Sequence, residues 1–376
     1  MRLIDKRQKN ENIQNKSSSK IVLFIKVFIL TSVLSTIVVL SVGGVVLNMI
    51  KPPVIPAISN TYKTSEPDSA PDNGEYAYLA PEGEEEDMLI GDGLIAPEEF
   101  TKDDRKESFY TFLIIGLDEG INTDTIMVAS YDEINKEANI ISIPRDSLVN
   151  VKRSIKKINA AYPAGTLYGG GMKGGVEQLK RELKTIIGFV PDYYVCIDLN
   201  AFVKIVDAVG GVDVVVPFDM KYDDPEQNLH IDIREGEQHL DGENALRFAR
   251  YRKSNSGLVT ITDYERIENQ QTVIKAVLKN LIKPENILRL PEFVNIFTEN
   301  VYTDIKPQNM LWFAIQLKEI NGTDALSTYT MPTTGTSGLP MYYEYLDEPA
   351  IVELVNRTIN PYKKDIEAKD LDIIGG

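Results

Sequence analysis

Two aspartates flank a short loop after an apolar run. Asp118 ends this run, and Asp124 lies six residues later, at the start of the next segment that can form a strand. Carboxylates at the ends of neighbouring strands can converge on a hard cation such as Mg²⁺, which takes oxygen ligands and shares them with phosphate groups. The same spacing also suits two aspartates that only cap the loop, and both interpretations remain open from the sequence.

A third candidate group follows the next predicted strand, in the segment IPRD at 143–146. Arg145 carries the planar guanidinium that binds phosphate in a bidentate manner, and Asp146 can pair with it. A surface ion pair is the alternative interpretation. The segment KKINAAY comes next, and in it Lys156 or Lys157 can face the same site, or both can be solvated.

The densest basic cluster contains Arg247, Arg250, Arg252 and Lys253, and is followed by Asp263, Arg266 and Gln270. Arg250 and Arg252 are two residues apart and share a face if the backbone is extended, whereas Arg266 and Gln270 share a face of a helix. Four such donors suit a pyrophosphate, whose oxygens need neutralising as a leaving group forms. The alternative is a solvated basic patch.

A glycine-rich stretch at 169–175 precedes a predicted helix. Backbone N–H groups at a helix start can hold an anion, but the spacing is not that of a nucleotide-binding P-loop. A flexible loop is the preferred interpretation.

The composition removes several kinds of function. The net charge of the 376 residues is −16, which disfavours general nucleic-acid binding because that needs a cationic surface. The single cysteine, Cys196, excludes an internal disulfide, and two histidines, His230 and His239, exclude a histidine-rich metal site.

Strands interleave with helices from Ser108 onward, which predicts a layered α/β domain around one sheet. Strands are predicted at 109–117, 125–131, 137–143, 193–198, 212–216 and 229–234, and helices at 174–187, 199–209, 242–250 and 264–283. The domain is predicted to span 108–335. Residues 336–376 are predicted to add a loop, a short helix at 348–356 and a frayed end.

The first 107 residues have a different character. Residues 1–20 form a basic tail, and 21–50 are apolar except for Lys26. The uncharged part, 27–50, would be about 36 Å long as a helix, enough to cross a bilayer. The positive-inside rule places the tail in the cytoplasm and the rest of the chain outside the cell membrane, as a single-pass protein. A cleaved signal peptide is the alternative, but its apolar core would be shorter. Residues 51–107 are acidic and proline-rich, which predicts an extended extracellular linker.

Nine sequence features in order carry a resemblance to a known family. They are GLD, DTIMV, IPRD, KINAAY, a glycine-rich loop, DLNAFVKIVDAVGGVDVVVP, GxxxLDGENAL, RxR and DYERIENQQ. Together with one N-terminal span, residues 109–335 resemble the LytR-CpsA-Psr (LCP) family of cell-wall enzymes of Gram-positive bacteria. The resemblance implies a three-layer α/β/α domain around a mixed central sheet.

The resemblance also implies an extracellular phosphotransferase. Such an enzyme moves a glycopolymer (teichoic acid, capsular or other secondary wall polysaccharide) from a polyprenyl-pyrophosphate carrier to a peptidoglycan hydroxyl, with Mg²⁺ (or Mn²⁺) as cofactor. Asp118 and Asp124 match the family's acidic pair, expected to position the metal and to help deprotonate the acceptor. Residues that match the family's pyrophosphate-binding positions are Arg145, Lys157, Arg250, Arg252, Arg266 and Gln270. Asp146 and Asp263 are expected to support them, with Asp146 orienting Arg145.

The family places the lipid tail in an apolar cleft between sheet and helices. Here that would recruit Phe202, Ile205 and Val206, or Ile274 and Val277, but these positions also suit an ordinary core, which is the preferred interpretation. The chain departs from the family pattern at Asn269, where members usually carry arginine, in the short Asp118–Asp124 loop, and in a longer loop at 253–259.

Two further functions compete with the transferase. A sensor or regulator of envelope maintenance is one, since members of the family carry the label transcriptional attenuator. A cytoplasmic part of only about 20 residues leaves no room for a helix-turn-helix domain, so direct DNA binding is not expected. A non-catalytic lipid or glycan binder is the other. It would need the arginines and the cleft but neither a metal nor both aspartates.

Overall fold

The apolar run FYTFLIIGL forms the central strand of the domain. In a computed structural model, which describes residues 52–55, 102–118, 121–225, 229–320, 326–337 and 341–374, this strand lies inside a six-stranded sheet. The predicted tail at 1–20, the predicted span at 21–50 and most of the predicted linker at 51–107 lie outside the described residues. Within the described ranges no helix is long and apolar enough to cross a membrane.

The six predicted strands are present with bounds close to those predicted, and the described residues form further strands that were not predicted. In chain order the strands are β1 Phe109–Leu117, β2 Thr123–Asp132, β3 Glu137–Ile143, β4 Tyr193–Ile197, β5 Val212–Val216, β6 Met220–Asp224, β7 Leu229–Ile233, β8 Gly236–Leu240, β9 Tyr302–Thr303, β10 Leu326–Thr330, β11 Thr333–Thr336 and β12 Glu344–Leu346. The main helices are α1 Ala161–Gly165, α2 Gly171–Ile187, α3 Leu199–Ala208, α4 Gly242–Arg250, α5 Asp263–Leu281, α6 Pro284–Ile287, α7 Leu290–Asn300, α8 Pro307–Ile320 and α9 Glu348–Thr358.

The central sheet has the order β10-β3-β2-β1-β4-β9 and is mixed. Strand β1 pairs antiparallel with β2 and parallel with β4, and β3 pairs parallel with β10. Because β1 and β2 run in opposite directions, the loop between them brings the end of one strand beside the start of the other. The predicted mixed sheet is confirmed.

Alternation along β1 divides the domain into layers, since successive side chains of a strand point to opposite faces. Leu113 and Ile115 are fully buried in a core shared with α2 and α9. Phe112 and Ile114 face a cavity whose far wall is formed by α3, α5, α7 and α8. Helices therefore cover both faces of the sheet, as predicted, but on one side they stand away from it.

The glycine-rich stretch is not a flexible loop. Helix α2 begins within it, at Gly171, and packs against the turn that follows α1. A Cβ at Gly174 would lie 2.5 Å from the carbonyl oxygen of Gly165, so the glycines permit a close backbone approach. The flexible-loop prediction is wrong because this packing orders the segment.

The C-terminal segment is more structured than predicted. Strands β11 and β12 form a hairpin where a loop was expected. The helix predicted at 348–356 is confirmed as α9, and the predicted frayed end is wrong because Ile359 and Ile366 are buried in the main core. At the other end, Arg105 pairs with Asp192 at 2.8 Å with both side chains buried, so the end of the predicted linker also packs on the domain.

A buried ion pair fixes the segment that precedes α1. The guanidinium of Arg153 is fully buried and forms two hydrogen bonds to Glu182 of α2, one of them at 2.8 Å. The same guanidinium donates to the backbone carbonyls of Ile155 and Lys157, each at 2.7 Å. Gln178 also donates to Glu182 at 2.7 Å, so the carboxylate accepts hydrogen bonds from two side chains. This network holds the backbone that carries Lys157.

We expect Glu182→Gln to destabilise the protein strongly, because it leaves the Arg153 guanidinium buried without its counter-charge. Breaking a buried pair from one side typically costs about 3–5 kcal/mol of unfolding free energy. Glu177→Gln on the same helix is the matched control, since its pair with Lys173 is exposed and 3.7 Å long. We expect that control to cost less than about 0.5 kcal/mol. Urea unfolding of both variants measures the difference, and equal losses would contradict the prediction.

Candidate functional site

The first aspartate of the predicted pair closes the loop between β1 and β2. The carboxylate of Asp118 accepts from the backbone N–H and the side-chain amide of Asn122, at 3.2 and 3.1 Å. The backbone N–H of Asp118 donates to the carbonyl of Asn122 at 3.1 Å. The capping interpretation therefore holds for the contacts of Asp118. Asp118 also lines the cavity, so capping is not its only environment.

The second aspartate does not cap the loop. Asp124 lies in β2, and its carboxylate is half-exposed and accepts a hydrogen bond of 2.6 Å from Nη1 of Arg145. Strands β2 and β3 are paired neighbours, with Ile126 opposite Ile143, so Asp124, two residues before this pair, and Arg145, two residues after it, meet at one end of the ladder. Arg145 therefore forms an ion pair with Asp124, a contact that the sequence did not predict.

Three carboxylates surround the guanidinium of Arg145. Besides the contact to Asp124, its Nε lies 3.7 Å from Asp146 and 3.8 Å from Asp263. Burial lowers the pKa of Arg145, but the nearby carboxylates, Asp124 foremost, outweigh burial and raise it. The predicted surface ion pair with Asp146 is therefore only one part of a semi-buried cluster, and the guanidinium is held charged.

Helix α5 supplies the next part of this cluster. Its N-cap, Thr262, forms a capping box with Glu265, so the first turn is firmly fixed. Asp263, in that turn, accepts from Arg252 at 3.1 Å and lies 3.5 Å from Nη2 of Arg266. One carboxylate is thereby shared by three arginines, since Arg145 is also close to it.

Arg266 is the most buried of these cations. Its side chain is 6% exposed, and its Nε has no hydrogen-bond partner among the described residues. Burial lowers the pKa of Arg266, and the positive charge of Arg145 lowers it further. A buried guanidinium with an unpartnered N–H, next to two other arginines, favours binding of an added anion.

The solvated-patch interpretation of the basic cluster is wrong for Arg266 and holds for Arg247. Arg247 lies on α4 and is 3.6 Å from Glu243, an exposed pair on the same helix. Arg250 and Gln270 line the cavity together with Arg252 and Arg266. Arg250 is the last residue of helix α4, so the extended segment assumed for Arg250 and Arg252 is wrong, although both side chains line the cavity.

Lys157 and Asp146 lie outside the cavity lining. Nζ of Lys157 donates to Asp146 at 2.8 Å, and Asp146 is in turn close to Arg145. The prediction that Asp146 orients Arg145 is consistent with these distances. Lys157 is thus connected to the arginine cluster through a carboxylate.

The cavity is large and mostly apolar. Its volume is about 940 Å³, and it runs between the sheet and helices α3, α5, α7 and α8. The charged part of its lining comprises Asp118, Asp124, Asp198, Arg250, Arg252, Lys253 and Arg266 together with two lysines of α5. All five residues that the resemblance assigned to a lipid cleft line it: Phe202, Ile205, Val206, Ile274 and Val277. The preferred core interpretation holds in part for Val206, which is 1% exposed and belongs to a core cluster, and for Phe202 and Val277, which pack against that cluster.

The acidic pair offers few metal ligands. In the part of the chain that the structure describes, no group of three or more His, Cys, Asp or Glu side chains could hold a metal. Two carboxylates, Asp118 and Asp124, do line one cavity together with several cationic side chains. This donor set fits Mg²⁺, which is commonly held by one or two carboxylates and completed by water and substrate phosphates.

Three residues beside the cluster were missed from the sequence. Glu344 is 1% exposed, and its carboxylate accepts from the hydroxyls of Tyr264 at 3.2 Å and Tyr342 at 3.5 Å. Its backbone N–H donates to the carbonyl of Asp146 at 3.0 Å. Burial raises the pKa of Glu344, and the charges of Asp263 and Asp146 raise it further. The available signal was a charged residue within the aromatic stretch YYEY at 342–345.

The sequence of this chain matches a known protein family. The model of the LytR_cpsA_psr family matches residues 85–360, so the chain belongs to that family. It is 27% identical to the polyisoprenyl-teichoic acid–peptidoglycan teichoic acid transferase TagV of Bacillus subtilis (strain 168), over 69% of this chain and 66% of TagV. It is 28% identical to the regulatory protein MsrR of Staphylococcus aureus (strain COL), over 59% of this chain and 64% of MsrR. The matched region thus spans slightly less than two thirds of each relative.

The fold is also similar to that of a solved structure. The crystal structure of B. subtilis TagV superposes with a TM-score of 0.55 at 27% identity, covering 67% of this chain and 96% of that structure. The mixed sheet with helices on both faces is therefore the fold of this family.

We expect Glu344→Gln to stabilise the protein by an amount that grows as the pH rises. Because the pKa of Glu344 is raised on folding, the folded state holds this proton where the unfolded chain has lost it, and stability falls as the pH rises through that window. The glutamine variant has no such penalty. Unfolding free energies of both proteins at pH 4, 5.5 and 7 measure the difference, and a difference that is constant or shrinks with pH would contradict the prediction.

Proposed function

We propose that this protein transfers a glycopolymer from a polyprenyl-pyrophosphate carrier to peptidoglycan on the outer side of the cell membrane. The observation that carries the proposal is an apolar cavity of about 940 Å³ whose lining includes Arg250, Arg252 and Arg266. A polyprenyl pyrophosphate joins a long apolar tail to a polyanion, and this cavity joins the two matching environments. The name of TagV, which describes a teichoic acid transferase, supports the same class of reaction.

The cavity would hold the polyprenyl tail. Burying a tail of many methylenes in an apolar cavity is favourable by about 0.8 kcal/mol for each CH₂ group. The residues named for the lipid cleft, such as Phe202 and Ile274, supply this surface. Tail burial fixes the pyrophosphate at the charged part of the cavity, which is the positioning that phosphoryl transfer requires.

The arginines would stabilise the leaving group. Transfer breaks the bond between the bridging oxygen of the pyrophosphate and the phosphorus that carries the glycan. The bond that forms joins this phosphorus to an acceptor hydroxyl oxygen, and polyprenyl phosphate leaves with the added negative charge. Arg252 and Arg266 both contact the carboxylate of Asp263 and line the cavity, so they are placed to turn toward these oxygens. Gln270 adds a neutral hydrogen-bond donor.

The acidic residues would handle the proton and the cation. Asp124 is half-exposed and lines the cavity, so it can accept the proton that the acceptor hydroxyl loses. Arg145 keeps its carboxylate oriented by the 2.6 Å hydrogen bond. Asp118 and Asp124 are the residues that would hold Mg²⁺ (or Mn²⁺). A bound Mg²⁺ would neutralise charge on the phosphate oxygens.

The predicted span at 21–50 would place this site outside the cell. With a cytoplasmic N-terminus and a linker of acidic and proline-rich composition, the domain would face both the lipid carrier in the membrane and the peptidoglycan acceptor. Nucleic acid is not an expected partner.

A second candidate function is a non-catalytic lipid-binding or glycan-binding regulator of envelope maintenance. The similarity to MsrR, which is named as a regulatory protein, favours this function. A binder would use the cavity and the arginines but would not need turnover. Metal-dependent release of polyprenyl phosphate therefore distinguishes the two functions.

We expect Arg252→Ala and Asp124→Asn each to lower the rate of transfer by about 10²–10³-fold, the typical cost of removing one group that stabilises a transition state. The assay uses the full chain, a polyprenyl-pyrophosphate-linked glycan, a peptidoglycan fragment and Mg²⁺, and measures release of polyprenyl phosphate.

Arg247→Ala is the matched control, because this arginine of the same basic cluster pairs with Glu243 on an exposed helix face. We expect it to retain nearly full activity. Tight lipid binding by the wild type with no turnover, or equal loss in all three variants, would favour the regulator.

A further inference from the structure

A second polar cluster lies beside the arginines, and the proposed function leaves it without a role. We call it the tyrosine platform, and it consists of Tyr264, Thr333, Tyr342 and Glu344. The hydroxyl of Tyr264 lies 2.6 Å from the hydroxyl of Thr333 and 3.2 Å from the carboxylate of Glu344. The hydroxyl of Tyr342 donates to the other oxygen of Glu344 at 3.5 Å. Both tyrosines are therefore fixed through one carboxylate.

The platform combines a buried carboxylate with exposed rings. Glu344 is 1% exposed, whereas Tyr264 is 39% and Tyr342 is 45% exposed, and these two are the only tyrosines among the exposed large hydrophobic side chains of the described residues. Burying a carboxylate costs free energy, and the hydrogen bonds from two tyrosine hydroxyls offset only part of this cost. Two aromatic rings that are held in place and yet partly exposed are a surface that suits a ligand.

The platform is tied to the site by its backbone. Tyr264 follows Asp263, the carboxylate that three arginines approach. Glu344 is held by the hydrogen bond from its N–H to Asp146 and by one from Leu148 to its carbonyl at 2.9 Å. Nζ of Lys157 lies 6.0 Å from the centre of the Tyr342 ring. The platform therefore borders the arginine cluster at the side of Asp146 and Lys157.

None of the platform residues lines the apolar cavity. This matters because the attacking and leaving oxygens in phosphoryl transfer are roughly in line, on opposite sides of the phosphorus. If the leaving polyprenyl phosphate is drawn toward the cavity, as the proposed function has it, the acceptor hydroxyl must arrive on the opposite side of the phosphorus. Asp124 can still meet it there, because Asp124 lines the cavity and also contacts Arg145, which lies outside the lining. The platform is an exposed aromatic surface that lies outside the cavity lining and borders the arginine cluster.

We propose that Tyr264 and Tyr342 bind a sugar ring of the acceptor glycan, an inference that depends on the proposed function for the identity of the acceptor. A pyranose ring presents C–H groups on its faces and hydroxyls at its edge. Tyrosine offers an apolar ring face and a hydroxyl, which suits both parts. Lys157 donates to hydroxyls at the ring edge, and Glu344 is a positioning residue that holds the two tyrosine hydroxyls in place.

The test separates acceptor binding from donor cleavage. The full chain is assayed with a polyprenyl-pyrophosphate-linked glycan in two reactions, transfer to a soluble peptidoglycan glycan strand and transfer to water. We expect Tyr342→Ala to raise the KM for the strand by about tenfold, the loss expected for one aromatic contact, with the rate of transfer to water unchanged. Tyr342→Trp should restore the wild-type KM because it restores the aromatic ring. Ile134→Ala, an exposed apolar residue on the hairpin turn between β2 and β3, is the control and should change neither reaction.

Titration calorimetry with the same glycan strand tests the inference without turnover. The wild type should bind the strand about ten times more tightly than Tyr342→Ala, whatever its activity toward the donor. If the wild type binds the strand in this way but does not cleave the donor, the proposed transfer fails and the platform stands. An unchanged affinity for the strand in Tyr342→Ala, or a raised KM for the donor in place of the acceptor, overturns the platform.

Discussion

Shared carboxylates hold the arginines of this protein in place. Arg145, Arg252 and Arg266 all approach Asp263, and Arg145 also binds Asp124. Positive charges this close repel one another, so they can be collected only where carboxylates or a bound anion compensate them. The sheet edge brings the carboxylate of Asp124 to Arg145, and the capped first turn of α5 holds the carboxylate of Asp263. Both positions place a negative charge where it compensates the arginines. The cluster therefore collects three arginines in one place although the whole chain is strongly acidic.

The same region joins two environments that proteins usually keep apart. An apolar cavity of about 940 Å³ is costly for a folded domain, because its lining gives up the contacts that close packing would provide. Charged groups at its wall add a desolvation cost. A ligand with a long apolar tail and an anionic head removes both costs at once. The main core on the opposite face of the sheet, where Leu113 and Ile115 are fully buried, supplies the stability that allows the cavity to persist.

Much of this arrangement is predictable from the sequence, and the exceptions have physical reasons. The bounds of β1, β3 and α4 follow directly from apolar runs and capping residues, and the charged residues of the site occur at their ends. Only the family resemblance suggested the cavity, since the apolar pattern of the residues does not distinguish a wall residue such as Ile274 from a core residue. Glu344 was missed because a charged residue in a short strand is usually exposed, and only the tertiary contact with two tyrosines makes its burial possible.

The central claim, that one apolar cavity and one arginine cluster bind a single lipid pyrophosphate, is tested most directly by the effect of tail length on affinity. The full chain in lipid nanodiscs would be titrated with soluble prenyl pyrophosphates of two and three isoprene units. We expect the longer tail to bind at least about tenfold more tightly, since burial of five further carbons is favourable. Ala314→Trp, which fills the cavity from α8, should remove the dependence on length and leave binding of the pyrophosphate intact. Equal affinity for both tails in the wild type would contradict the claim.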